Sequence, residues 1–130
     1  MAQSHLNDKQ LRTLHSAVDR MVPADDYPSG SQAGCVDFLL RLIVLESQVE
    51  FYKRGLDSIE EAAMSIGQPF SEMPVEDQDQ VLYRLERRRK TRSFIETLAR
   101  QTVEGYYSDP ENGGNLGCIA WKMIGFEVRN

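Results

Sequence analysis

Apolar positions fall at helical spacing over most of the chain. Leu11, Leu14, Val18, Met21 and Val22 make one stripe, with Lys9, Arg12 and Arg20 outside it. Just before it, Asn7 suits an N-cap, Gln10 stands three residues on, and Leu6 is placed to staple to Leu11. Pro23 ends this first helix, because the residue before proline avoids helical angles. The stretch 23–34, PADDYPSGSQAG, reads as a loop. From about Ser31 to Arg54 the pattern becomes almost continuously apolar, with Val36, Phe38, Leu39, Leu40, Leu42, Ile43, Val44, Leu45, Val49, Phe51 and Tyr52. That predicts one long, enclosed, central helix. A buried strand over Leu39–Leu45 is the competing reading, but the run is long and leucine-rich.

Gly55 is expected to interrupt. Leu56, Ile59, Ala62, Ala63 and Ile66 predict a short third helix, with Gly67 at the position where glycine ends helices. Pro74 sits in the first turn of a fourth, followed by Glu76 and Asp77, with Val75, Val81, Leu82 and Leu85 inside. A basic run follows: Arg84, Arg87, Arg88, Arg89, Lys90 and Arg92. Phe94, Ile95, Leu98, Ala99, Thr102 and Val103 then mark a fifth helix ending at Gly105, and its continuity with the fourth stays open. The last stretch, Gly105–Phe126, has neither period. It gathers Gly105, Gly113, Gly114 and Gly117 with Tyr106, Tyr107 and the one tryptophan, Trp121. Gly113-Gly114 between Asn112 and Asn115 suits φ > 0, so this reads as a built turn pinned to a core. Cys118–Ile124 has room for one or two helical turns. The expectation is an all-α, compact single domain over 1–130, of five or six helices around a central apolar helix, with a Gly-rich C-terminal loop.

With 130 residues one domain is the default, long enough to bury roughly two-thirds of its unfolded surface. A net charge of −5 argues against general attraction to nucleic acid or anionic membranes. No apolar run approaches the roughly 20 residues of a membrane span. The start, MAQSHLNDKQ, has neither a basic region nor an apolar core, so it is not a signal peptide. Cys35 and Cys118 are too few for a disulfide framework and lack metal-ligand spacing. Two free thiols are the plain reading; a bridge between them, or from Cys118 to a partner, is the alternative.

Candidate chemistry is thin. His5 and His15 form no motif with a carboxylate or cysteine and read as surface histidines. Glu60-Glu61 and Glu72, Glu76, Asp77 and Asp79 read as solvated acids on helix faces, and Ser29-Gly30-Ser31 as a turn. Gly113-Gly114 follows a helix, the wrong context for a phosphate cradle. No catalytic set and no metal set is assigned. The Arg84–Arg92 run reads as a solvated face pairing with Glu86 and Glu96. Net negative charge speaks against nucleic acid there, and leaves room for docking on an acidic protein surface. Ordering glycines costs more backbone entropy than ordering other residues, which makes the C-terminal loop a candidate for recognition.

That loop, GYYSDPENGGNLGCIAWKMIGF, resembles the gluconate 2-dehydrogenase subunit 3 family in its YYSDP, its GGN, the tryptophan six residues later and the closing IGF. MVPADDYPSGSQAGCVDFL, Tyr52–Leu56 and Phe70–Leu82 with Gln78 are similar to further family segments, in order, and the similarity spans about residues 6–128. The resemblance implies an all-helical, non-catalytic small subunit of bacterial, membrane-associated, flavin-dependent sugar or sugar-acid dehydrogenases. Its large partner would be a flavoprotein of the glucose–methanol–choline type holding FAD, with a cytochrome subunit taking electrons through the complex. The family's twin-arginine leader has no counterpart at Met1, so the expected place is periplasmic or membrane-associated through the complex if a leader is removed, and cytoplasmic if the chain is native as given. Partner binding is assigned to Tyr106, Tyr107, Pro110, Asn112, Gly113, Gly114, Asn115 and Trp121. Trp121 as a core anchor and the glycines as turn formers remain open beside it. A free-standing helical ligand-binding or homo-oligomeric protein is the alternative to the subunit reading.

Overall fold

The computed structural model describes residues 5–24 and 28–107, and these form a helical bundle. Its elements are α1 (Asp8–Met21), α2 (Cys35–Leu45), α3 (Val49–Met64), a 3-10 turn (Phe70–Glu72), α4 (Val75–Arg87) and α5 (Arg89–Tyr106). The Gly-rich loop lies outside the described residues.

The first helix begins as its sequence requires. The Asn7 side chain accepts from the Gln10 N–H at 2.7 Å, and the Gln10 side chain accepts from the Asn7 N–H at 3.0 Å. Leu14, Ala17 and Val18 turn inward, and Leu6 joins the same core. Asp19 and Arg20, on α1's partly exposed side, tie it to its surroundings. Asp19 accepts from the backbone and hydroxyl of Ser31 at 2.8 and 2.9 Å, fixing the loop into α2. Arg20 donates to both carboxylate oxygens of Asp79 on α4, at 2.8 and 3.1 Å. That two-pronged bond, chiefly, raises the arginine pKa above its ordinary value.

The long apolar helix expected over 31–54 is two helices. Glu46, Ser47 and Gln48 close α2: the Ser47 N–H donates to the Val44 carbonyl at 3.2 Å, and the Gln48 N–H to Ile43 at 2.7 Å. This double bond pattern needs a left-handed residue after the cap, and Ser47 supplies it with φ 57. Only one side of α2, with Cys35, Val36, Leu39 and Ile43, is buried, while Leu45 is 78% exposed. The helices that pack against all four others are α1, α3 and α5, so α2 is not the central one.

Nor does Gly55 interrupt anything, since α3 runs straight through it. Its purpose is closeness. A Cβ there would stand 2.3 Å from ring atoms of Phe94 on α5. The missing side chain lets Phe94 pack edge-on against Phe51 and Tyr52, with ring centroids 5.5 and 5.1 Å away. Gly67, by contrast, stands where the pattern expected a helix to end, with φ 120 and its N–H bonded to the Ala63 and Met64 carbonyls. A break at Arg88, whose backbone is extended, separates α4 from α5.

Candidate functional site

Of the residues assigned to partner binding, Tyr106 and Tyr107 are described; Pro110, Asn112, Gly113, Gly114, Asn115 and Trp121 lie outside the described residues, as does Cys118. Tyr106 is fully buried, and its hydroxyl donates to the Pro28 carbonyl at 2.6 Å. Burial raises its phenol above the ordinary range. One residue earlier, a Cβ on Gly105 would stand 2.7 Å from Phe38 of α2. Tyr107 is half-buried and packs against the core. These three residues therefore fix where the chain leaves α5, against α2 and the loop that precedes it. Tyr106 is an anchor of that exit.

Cys35 is buried beneath the same end of α5, and its thiol donates to the Thr102 carbonyl at 3.4 Å. Burial pushes the thiol up to about 12, so it stays protonated at neutral pH.

The acids divide. Glu60, read as solvated, is buried: it accepts from the Thr13 hydroxyl at 3.3 Å and the Phe70 N–H at 3.2 Å, joining α1, α3 and the 3-10 turn. Beside it the Gln78 amide donates to the Phe70 carbonyl at 2.7 Å. The signal for Glu60 was its place on the stripe of Leu56, Ile59 and Ala63. A second polar chain crosses the α3–α5 seam, Tyr52 hydroxyl to Gln101 at 2.6 Å and Gln101 to Gln48 at 3.0 Å. Both chains hold elements together, and Glu60 with Thr13 also lines a small cleft of about 250 Å³ beside Lys9, Arg12 and Glu72. Among the described residues, no group of three or more His, Cys, Asp or Glu is placed to hold a metal ion, and no helix is long and apolar enough to cross a membrane.

His5 and His15 are exposed, as expected. They line a groove of about 620 Å³ with the outer side of α2, where Val44 and Leu45 lie open. The cations of Arg84–Arg92 are all exposed too, but the expected pairing with Glu86 and Glu96 does not form. Ion pairs among the described residues are Arg20–Asp79 and Lys53–Glu50. Arg92 turns its Nε to the backbone carbonyl of Glu86 at 3.1 Å instead.

The described residues thus make a helical bundle with buried polar ties, an anchored exit from its last described helix and open apolar and basic surfaces. The description of the Gluconate 2-dehydrogenase subunit 3 family matches residues 8–127, nearly the whole chain, and the chain belongs to that family. It is thus of the kind of small subunit that accompanies a dehydrogenase complex. Comparisons with curated proteins and with solved structures give no match.

Proposed function

We propose that this chain is the non-catalytic small subunit that binds, stabilises and helps mature a flavin-dependent dehydrogenase of the glucose–methanol–choline type. The observation that carries the reading is the family match over residues 8–127. In this reading FAD and the oxidation of a sugar or sugar acid belong to the large partner, and a cytochrome subunit receives the electrons. The assembled complex works in the periplasm or at the membrane face. The small subunit contributes surface. Tyr107, Pro110, Asn112, Gly113, Gly114, Asn115 and Trp121 are proposed to meet the partner, and the buried Tyr106 sets where that segment departs.

Co-expression tests this. A tagged copy of the chain, produced with a flavoprotein large-subunit gene from the same genome, is expected to capture a yellow, FAD-containing partner and to raise its soluble yield. A large subunit that folds and binds FAD equally well alone, and is never captured, would overturn the reading.

A further inference from the structure

Six cations and one carboxylate give Arg84–Arg92 a net charge of +5, so the remaining residues together carry −10 against the chain's −5. No other stretch concentrates charge this way. Part of the run serves the fold: Arg84 and Arg87 end α4, at the negative end of its dipole, and Arg92 donates to the Glu86 carbonyl. At the start of α5 the observations run the other way. All six side chains are exposed, and among the described residues none is in an ion pair. Arg89, Lys90 and Arg92 occupy the start of α5, the positive end of its dipole, where the first turn contains no acid. The cap residue there is Arg88, which makes no side-chain bond to the helix. Like charges this close repel one another, and such departures from local rules concentrate at functional sites.

Beside this corner runs a groove of about 740 Å³ between α3 and the α4–α5 turn. Phe51 and Phe94 form its floor, Arg54, Arg88 and Lys90 stand on its rims, and Glu61 adds one carboxylate. The shape decides between two anionic occupants. A bilayer surface is flat and would reach the rim cations while leaving the aromatic floor empty. A protein segment can place carboxylates on the rims and an apolar side chain on the floor. Guanidinium groups, moreover, pair with carboxylates in a two-pronged geometry, and arginine is enriched at protein interfaces.

We propose that the basic α4–α5 corner and its groove are a docking surface for an acidic protein segment bearing an apolar side chain. It lies at the start of α5, and the 18 residues of that helix put it about 27 Å from Tyr106. The inference does not rest on the identity of the dehydrogenase, only on this chain having a protein partner.

The probe is a fluorescent eight-residue peptide of six glutamates, one phenylalanine and one leucine, titrated into the full chain. The proposal expects binding at low salt that weakens steeply by about 0.15 M salt. It also expects at least a tenfold loss of affinity in Arg88→Glu/Lys90→Glu. These residues are exposed, so circular dichroism should show both proteins equally folded. A peptide of glutamates alone should bind more weakly. Equal binding to both proteins overturns the proposal. So does failure of the peptide to bind while vesicles with three parts in ten anionic lipid capture the wild type and not the variant. If both proteins capture the large subunit equally, the corner is not a contact, yet the subunit reading stands. If the peptide binds through the corner and no dehydrogenase is captured, the reverse holds.

Discussion

Arg88 and Phe94 stand six residues apart at the start of α5 and border the same groove, yet they answer to different physics. Phe94 belongs to a seam in which every element is fitted to the next: it is 5% exposed, packed edge-on with Phe51 and Tyr52, and seated against a glycine that has no side chain to obstruct it. Arg88 belongs to a corner in which six cations crowd together unpaired among the described residues. The seam is where sequence changes should cost stability, and the corner is where they should cost binding. The two regions adjoin, since the outer edge of the seam, at Phe51 and Phe94, is the floor of the groove that the cations border.

The seam breaks first at Gly55. Alanine is the better helix former by about 1 kcal/mol, so propensity alone makes Gly55→Ala stabilising. The new Cβ, however, would meet Phe94 ring atoms at 2.3 Å, and overpacking of this kind costs about 2–3 kcal/mol. Packing wins. The net loss of about 1–2 kcal/mol should appear in thermal unfolding as a fall of roughly 5 °C in Tm. Combining the change with Phe94→Leu should restore part of the loss, because residues in contact do not add independently. Additive effects would show that the close approach is not what requires the glycine.

Alkali attacks the same interior more gradually. Burial pushes the Cys35 thiol from its ordinary 9.0 up to about 12, and raises the Tyr52 phenol as well. Both groups are acids held neutral in the fold, so their unfolded forms release protons first. Stability is full below the unfolded values and is lost as pH rises: from about 9 through Cys35, and above 10 through Tyr52 as well. Each contributes a slope of up to about 1.4 kcal/mol per pH unit. Denaturant titrations of Cys35→Ala should remove the earlier limb of this decline, and Tyr52→Phe the later one. Tyr52→Phe should also lose about 1 kcal/mol at neutral pH with its hydrogen bond to Gln101. An unchanged pH profile in both variants would mean that neither group drives the alkaline loss.

The corner should respond in the opposite sense. Lys90→Glu places an acid in the first turn of α5, where none now stands, and should stabilise the fold by about 0.5 kcal/mol while weakening acidic-peptide binding. A substitution that strengthens the fold and damages binding sharpens the division between the two regions more than any loss of both. If Lys90→Glu lowered Tm, the cations would prove to be part of the fold after all.

What could be read from residues alone follows the same division. The all-helical class, the Asn7–Gln10 cap and the end at Gly67 were legible because each rests on chemistry local to a few residues. The seam was not. Gly55 looks like a break in any one-dimensional pattern, and only Phe94, far along the chain, shows that it is a close approach. Glu60 looks like a surface acid until Thr13 and Phe70 arrive from two other elements. Tyr106 drew attention beside a suspected recognition loop, whereas Pro28 makes it an anchor. The remainder of that loop lies outside the described residues, so its part in binding rests on the co-expression test.

The smallest predicted effect lies at the entrance to the seam. Two helix ends use a left-handed residue, glycine at 67 and serine at 47, and only the first announced itself in the sequence. Glu46-Ser47-Gln48 carries no breaker between two apolar runs, which is why α2 and α3 read as one helix. Serine with φ 57 is there against its own preference, at a cost of about 1 kcal/mol, and is held by the bonds from Ser47 and Gln48 back to Val44 and Ile43. Ser47→Gly removes that cost while giving the unfolded chain more freedom, so the net gain should be about 0.5 kcal/mol in denaturant unfolding. Ser47 is exposed, so no packing change obscures the comparison. Ser47→Val, whose branched side chain tolerates this conformation worst, should be destabilising by a larger amount. Were the order of these two variants reversed, the turn would not set the angle at which α3 enters the seam, and the continuous helix read from the pattern would be the better description of residues 31–54.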